Sequence, residues 1–339
     1  MKENTDTEAS DRKKDHIELA FKSRVKNEEI DPRFYYEPLM NAHPDKNTDI
    51  SVFFLGKTFK APIWVSSMTG GTTLASIINK NLARGCCEFG LGMGLGSCRQ
   101  LLYNDEFLDD FQVRKYLGGQ PLYANLGVAQ LEILLQEQKT DKIVELLKKL
   151  EADGLIIHVN PLQEWLQPEG DRFVSSPLET IKRILDLVDC PVIVKEVGQG
   201  MGPQSLLELF KLPLAAIDFG AGGGTNFALL EILRSSEKVA DNYSGFANIG
   251  HSAEEMTDFV NQILAGNSNE LLCKEVIISG GVRDFLDGYY LTQKLKLPSI
   301  YGHASGFLKH AQNSYEDLSE YINLQIEGFK LSKTMLKVK

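Results

Sequence analysis

From Pro62 onward the chain alternates eight times between a short apolar run, rich in β-branched and aromatic residues, and a stretch with helical spacing. The runs are APIWVSS (61–67), LGMGLGS (91–97), PLYAN (121–125), GLIIHVN (154–160), PVIVKE (191–196), LAAIDF (214–219), EVIISG (275–280) and PSIYGH (298–303). Runs that are apolar almost throughout suit parallel strands covered on both faces. Eight strand–helix units are the number that closes a (β/α)8 TIM barrel. The competing doubly wound open sheet requires a phosphate-binding GxGxxG after its first strand, and SSMTGGT has only two adjacent glycines. A barrel with an N-terminal extension and an insertion between strands six and seven accounts for all 339 residues. In that insertion about 55 residues separate Phe219 from Glu275, far more than α/β connections usually take. Either its helix is doubled or it reaches the active-site mouth. Residues 1–10 are polar and read as a mobile tail, with 11–339 a single domain.

Composition narrows the function. The chain is 43% hydrophobic with formal charge −10, which disfavours a general nucleic-acid binder, since those carry a basic face. No run reaches the ~18 apolar residues of a membrane helix, and the polar N-terminus lacks a signal peptide's apolar stretch. The five cysteines form no CxxC, so neither a disulfide framework nor a zinc site is indicated. The expectation is a soluble cytoplasmic protein with reduced thiols.

In a TIM barrel, chemistry sits at the C-terminal ends of the strands. GGGT (222–225) and SGGVR (279–283) each precede a helical stretch, a place where bare glycine N–H groups bind anions, although glycines also serve simply to turn the chain. Lys195 ends the run PVIVK, where a cation needs an anionic or electron-rich partner unless it reaches solvent along its stem. Asn125 closes PLYAN as a ligand contact or a turn residue. In HVNPLQE, His158 and Asn160 share one strand face, and Pro161 turns Gln163 and Glu164 into the loop. One carboxylate with amides suits Mg²⁺ shared with substrate phosphates and water; the commoner fate of a glutamate is the surface. Arg12, Lys13, Lys14 and His16 form a basic cluster, either a solvated helix face or a segment that folds over the mouth to meet an anion.

RKKDHI (12–17), SSMTGG (66–71), GLGSCR (94–99), ANLG (124–127), HVNPLQE (158–164), KEVGQG (195–200), DFGAGGGT (218–225) and SGGVR (279–283) occur in the order seen in type 2 isopentenyl-diphosphate isomerases, which the chain resembles over roughly residues 10–310. Those enzymes are FMN-dependent TIM barrels interconverting isopentenyl and dimethylallyl diphosphate. The resemblance implies FMN held by Ser67, Met68, Thr69, Ser97, Asn125, Lys195 and Thr225, with its phosphate on Gly280, Gly281, Arg283, Ala304 and Ser305. It implies substrate contacts from Arg12, Lys13, His16, Ser97, Arg99, His158, Asn160 and Gln163, Mg²⁺ on Glu164, and Gln163 and Lys195 as the catalytic pair. It also implies a reduced flavin as acid and base, NAD(P)H as reductant, and a homo-oligomer (dimer, tetramer or octamer). Three departures stand out: Cys98 for a usual Gln, Phe227 for a usual Trp, and Asn248–Ser252 for a Gly-Ile-Pro-Thr stretch. Two alternatives remain, an FMN-dependent 2-hydroxy-acid oxidoreductase and a non-catalytic barrel that binds flavin or prenyl phosphate. The oxidoreductase requires a histidine base, for which His251 is a candidate, with paired arginines.

Overall fold

The computed structural model describes residues 9–66, 70, 73–267 and 270–339. All eight apolar runs are strands: β1 (Ile63–Val65), β2 (Gly92–Gly94), β3 (Leu122–Gly127), β4 (Gly154–Val159), β5 (Val192–Glu196), β6 (Ala216–Asp218), β7 (Val276–Ile278) and β8 (Ser299–His303). Each pairs in parallel with its sequence neighbour, and β8 pairs with β1. The sheet closes into a barrel, so the open-sheet alternative does not apply.

Period-two alternation sorts the side chains into layers. Trp64, Tyr123, Ile156, Ile193, Ala216, Ile277 and Ile300 fill the lower interior, each large aliphatic or aromatic among them contributing roughly 1.5–3 kcal/mol by burial. A hairpin, Val52–Phe54 with Lys57–Phe59, closes the bottom by inserting the buried Phe54 and Phe59. Two residues further along the same strands the interior positions become Ser66, Asn125, His158, Lys195, Asp218, Ser279 and Gly302. An apolar plug therefore supports a polar ring at the C-terminal ends of the strands.

Between β6 and β7 the chain forms helices Phe227–Arg234 and Glu237–Tyr243, a 3₁₀ turn Ser244–Asn248, and helix Ala253–Asn267. The crossover is multiplied and it also reaches the mouth. Ala228 and Ile232 pack on Leu166 of the loop helix after β4, and Phe227 lines the mouth cavity. Strand Phe34–Tyr36 of the extension pairs antiparallel with Leu336–Val338, which joins the two ends of the chain. Residues 9 and 10 of the expected tail begin helix Ala9–Leu19; residues 1–8 lie outside the described residues.

Candidate active site

A cavity of about 340 Å³ opens at the C-terminal ends of β1 and β5–β8. Its walls include Lys195, Thr225, Gly280, Gly281, Arg283, Ala304 and Ser305, so much of the expected FMN set is brought together. The turns after β6 and β7 meet backbone to backbone. Gly280 has φ of 85° and a Cβ there would lie 2.0 Å from Ala221 O; at Gly281 (φ 71°) it would lie 2.7 Å from Gly222 O. Among the described residues, the N–H groups of Gly223, Gly224, Gly280 and Gly281 donate to no backbone oxygen. Unspent donors around a cradle that side chains would fill make an anion site.

Arg283 stands beside this cradle with its side chain 77% exposed. Its Nε and Nη2 donate to Asp287 at 2.9 and 3.2 Å. His303, absent from the expected set, lines the same wall. A carbonyl can only accept, so its Nε2–H donates to Arg283 O at 3.2 Å. Nδ1 therefore accepts from Tyr321 Oη at 2.9 Å, and burial lowers the imidazole pKa.

In the polar ring, Lys195 lies in register between His158 and Asp218, and its Nζ donates to Glu196 O at 2.7 Å. Asn125 Nδ2 donates to Leu95 O at 3.0 Å, leaving Oδ1 to accept from His158 Nδ1 at 2.9 Å. Burial, with Lys195 adding to it, pushes His158 down to about 3. His158 is thus neutral, with Nε2 unprotonated. Asp218 is fully buried: Oδ1 accepts from Ser279 Oγ and Oδ2 has no partner. Burial raises its pKa against the pull of Lys195 and Ser279.

Glu196, also missed from sequence, folds the KEVGQG loop by accepting from the N–H groups of Gly198, Gln199 and Gly200 at 2.6–2.9 Å. Gln199 then binds the insertion through Phe246 O at 3.0 Å and Ile249 O at 2.8 Å. An acid at or next to the end of an apolar run was the available signal for Glu196 and Asp218.

HVNPLQE forms a second cluster. Asn160 precedes helix Pro161–Leu166, and its Nδ2 donates to Gln163 Oε1 and Glu164 Oε1, each at 3.0 Å. Asn160 Oδ1 is buried with no partner. Glu164 is buried rather than on the surface, and its Oε2 accepts from Asp171 N at 2.8 Å. Arg99 reaches Asp171 at 3.3 Å. Among the described residues, no three His, Cys, Asp or Glu side chains are arranged to hold a metal ion.

Other expected residues lie apart. Ser97 and Arg99 are outside the cavity lining. Arg12, Lys13 and His16 are exposed on helix Ala9–Leu19 and also outside that lining. Ser67, Met68 and Thr69 fall outside the described residues. Cys98 is buried in the core, its thiol pushed up to about 12 by burial, so that departure does not alter the cavity wall. His251 packs edge-on against Phe259, with ring centroids 5.2 Å apart. No helix among the described residues is long and apolar enough to cross a membrane.

No family model matches the sequence. Relatives do. An isopentenyl-diphosphate delta-isomerase of Rickettsia felis is 35% identical over 327 residues, covering 95% of this chain and 91% of its own. That of Rickettsia typhi is 34% identical over 336 residues, covering 97% and 93%. Among solved structures, a flavocytochrome b2 variant with pyruvate bound matches with TM-score 0.62 at 15% identity, covering 89% of this chain and 72% of its own. A mandelate oxidase variant with a monooxide FMN adduct matches with TM-score 0.56 at 12% identity, covering 91% and 88%. These two likenesses concern the fold.

Proposed function

The chain belongs to the isopentenyl-diphosphate delta-isomerase family, and from that premise we propose that it is the FMN- and Mg²⁺-dependent type 2 form, converting isopentenyl diphosphate to dimethylallyl diphosphate. The reaction is a 1,3-proton shift, in which an unactivated alkene carbon must be protonated by a strong, well-placed acid. The observation that carries the reading is how poorly the described strand-end side chains would serve as that acid. His158 is neutral down to about pH 3, and Gln163 does not titrate. Both Glu164 oxygens are engaged, and Asp218 is sealed in the floor.

The glycine cradle, its free N–H groups and Lys195 beneath it suit a phosphate-bearing flavin. Reduced FMN, when bound, supplies the proton donor and acceptor and an electron-rich ring beside the developing tertiary cation. Around it the protein orients and neutralises. Lys195 offers a cation from the floor, Thr225, Ala304 and Ser305 line the wall, and Arg283 stands at the phosphate turn. Asn160, Gln163, Arg99 and Ser97 would meet the substrate, with Arg12, Lys13 and His16 joining from the N-terminal helix. Mg²⁺ prefers oxygen ligands and keeps several waters; Glu164 Oε1 and the unpartnered Asn160 Oδ1 suit it, with diphosphate oxygens completing the shell. Isomerisation is redox-neutral overall, so NAD(P)H serves only to reduce the flavin. The setting is a cytoplasmic homo-oligomer. The hydroxy-acid oxidoreductase alternative draws no support from His251, whose ring packs edge-on against Phe259.

The test is anaerobic incubation with isopentenyl diphosphate, Mg²⁺ and FMN in both redox states. Dimethylallyl diphosphate is expected with reduced FMN alone. Turnover with oxidised FMN and no reductant, or without flavin, would overturn the assignment.

A further inference from the structure

Arg33, in the N-terminal extension, has no part in the reaction above, yet it reaches the phosphate end of the cavity. Asp287, 5% exposed in the first turn of helix Phe285–Lys294, receives two arginines. Arg283 donates to it through its backbone N–H at 3.0 Å and through Nε and Nη2. Arg33 Nη1, 254 residues away in sequence, donates to Oδ1 at 2.8 Å. Arg33 is itself clamped. Its Nε and Nη2 bind Asp31 at 2.9 and 2.7 Å, and its guanidinium lies over Phe34 and Tyr290, 5.3 and 5.0 Å from the ring centroids.

We propose that Arg33 is a positioning residue of the anion site: it holds Asp287, which holds Arg283 by the Nε–Nη2 edge and leaves Nη1 free for a phosphate monoester at the Gly280–Gly281 turn. Two physical reasons support this. Arg33 Nη1 and Arg283 Nη2 share Asp287 Oδ1, so without Arg33 the buried carboxylate keeps Arg283 as its remaining arginine partner, is left undercompensated, and competes more strongly with a phosphate for that guanidinium. Asp31, Arg33, Asp287 and Arg283 also sum to zero charge, whereas removing Arg33 leaves a net negative cluster facing a dianion. The extension thereby becomes part of the site although it never touches the ligand.

That the monoester is FMN rests on the function proposed above, and the experiment separates the two. FMN and riboflavin, which differ only in the phosphate, are titrated into flavin-free wild type, Arg33→Met and Arg33→Lys, with binding followed by quenching of flavin fluorescence. Arg33→Met should weaken FMN about tenfold, the worth of one charge-assisted contact, and leave riboflavin unchanged; Arg33→Lys, which keeps the charge, should recover part of the loss. Equal weakening of both flavins marks a merely structural role and overturns the proposal, as does unchanged FMN affinity. If Arg33→Met does not fold, Arg33→Lys carries the same comparison. If wild type binds neither flavin, the flavin reading fails by itself, and titration with inorganic phosphate decides the relay. Weaker phosphate binding in the Arg33 variants supports it; equal binding, or none by wild type, rejects it.

Discussion

His158 and Glu164 show how burial sets what a side chain in this site can do. His158 is neutral because protonating it in the floor, beside Lys195, is costly. Its pKa is depressed to about 3, so between about pH 6.5 and 3 the unfolded chain takes up a proton that the folded chain refuses. That contribution is fully present above pH 6.5 and is lost as pH falls through this window. His158→Gln keeps a donor for Asn125 and removes the titration. Its unfolding free energy should therefore fall less steeply on acidification, by at most about 1.4 kcal/mol per pH unit for a single proton, as chemical denaturation at a series of pH values will report. A slope equal to wild type would mean that His158 is not the group refusing the proton. Glu164 makes a contrasting prediction, because its proposed task is to hold a metal. Glu164→Gln should raise the Mg²⁺ needed for half-maximal turnover by roughly tenfold or more, be rescued in part by high Mg²⁺, and leave FMN affinity unchanged. Loss of turnover that no metal concentration restores would instead indicate a proton-transfer role.

Among the elements, helix ends and the insertion carry most of the local detail. Helix Val128–Gln136 stops through Gln138, which takes φ of 57° while Lys139 N bonds back to Leu134 O at 2.9 Å. This is the position where glycine escapes the Cβ clash of left-handed backbone. Gln138 is exposed, so Gln138→Gly should gain about 1 kcal/mol in urea unfolding, less whatever the freer unfolded chain takes back. A loss of stability would show that the side chain contributes more than the strain costs. The insertion is tied to the loop after β5 through Gln199. Gln199 bonds two of its carbonyls and Gln199 O accepts from His251 N at 2.8 Å. Strand-end loops five and six are therefore joined beside the cavity by side-chain and backbone hydrogen bonds.

For the molecule as a whole, the barrel is completed by elements from opposite ends of the chain. Phe34 stacks on Tyr289 with centroids 6.1 Å apart, and Tyr289 Oη donates to Leu336 O at 2.9 Å. The terminal sheet is thereby fastened to the helix that also carries Asp287. Phe34→Ala should cost about 2 kcal/mol, below the range of fully buried phenylalanines. It should also speed amide exchange at Leu336–Val338, measured by hydrogen exchange with mass spectrometry. Unchanged protection there would mean that the two strands hold each other without the ring.

What the sequence determined by itself was whatever is encoded locally. Eight apolar runs marked eight strands because parallel strands covered on both faces need no polar alternation. GGGT and SGGVR marked loops because glycine acts on its own backbone, whereas in HVNPLQE the residues after Pro161, read as loop, form helix Pro161–Leu166, because proline presets the backbone of a first helical turn. From those the barrel and the Gly280–Arg283 and Asn160–Glu164 clusters at the C-terminal ends of its strands were legible. Tertiary structure decided what depends on closure and register. Lys195 lies between His158 and Asp218 only because β4, β5 and β6 pair in one register. Ser279 reaches Asp218 across 61 residues, Tyr321 reaches His303 from the last long helix, and Arg33 reaches Asp287 only once both ends of the chain are docked. The last three bring a buried polar side chain, Asp218, His303 or Asp287, to a distant partner, and such a pairing exists only after the chain has excluded water from the space between them.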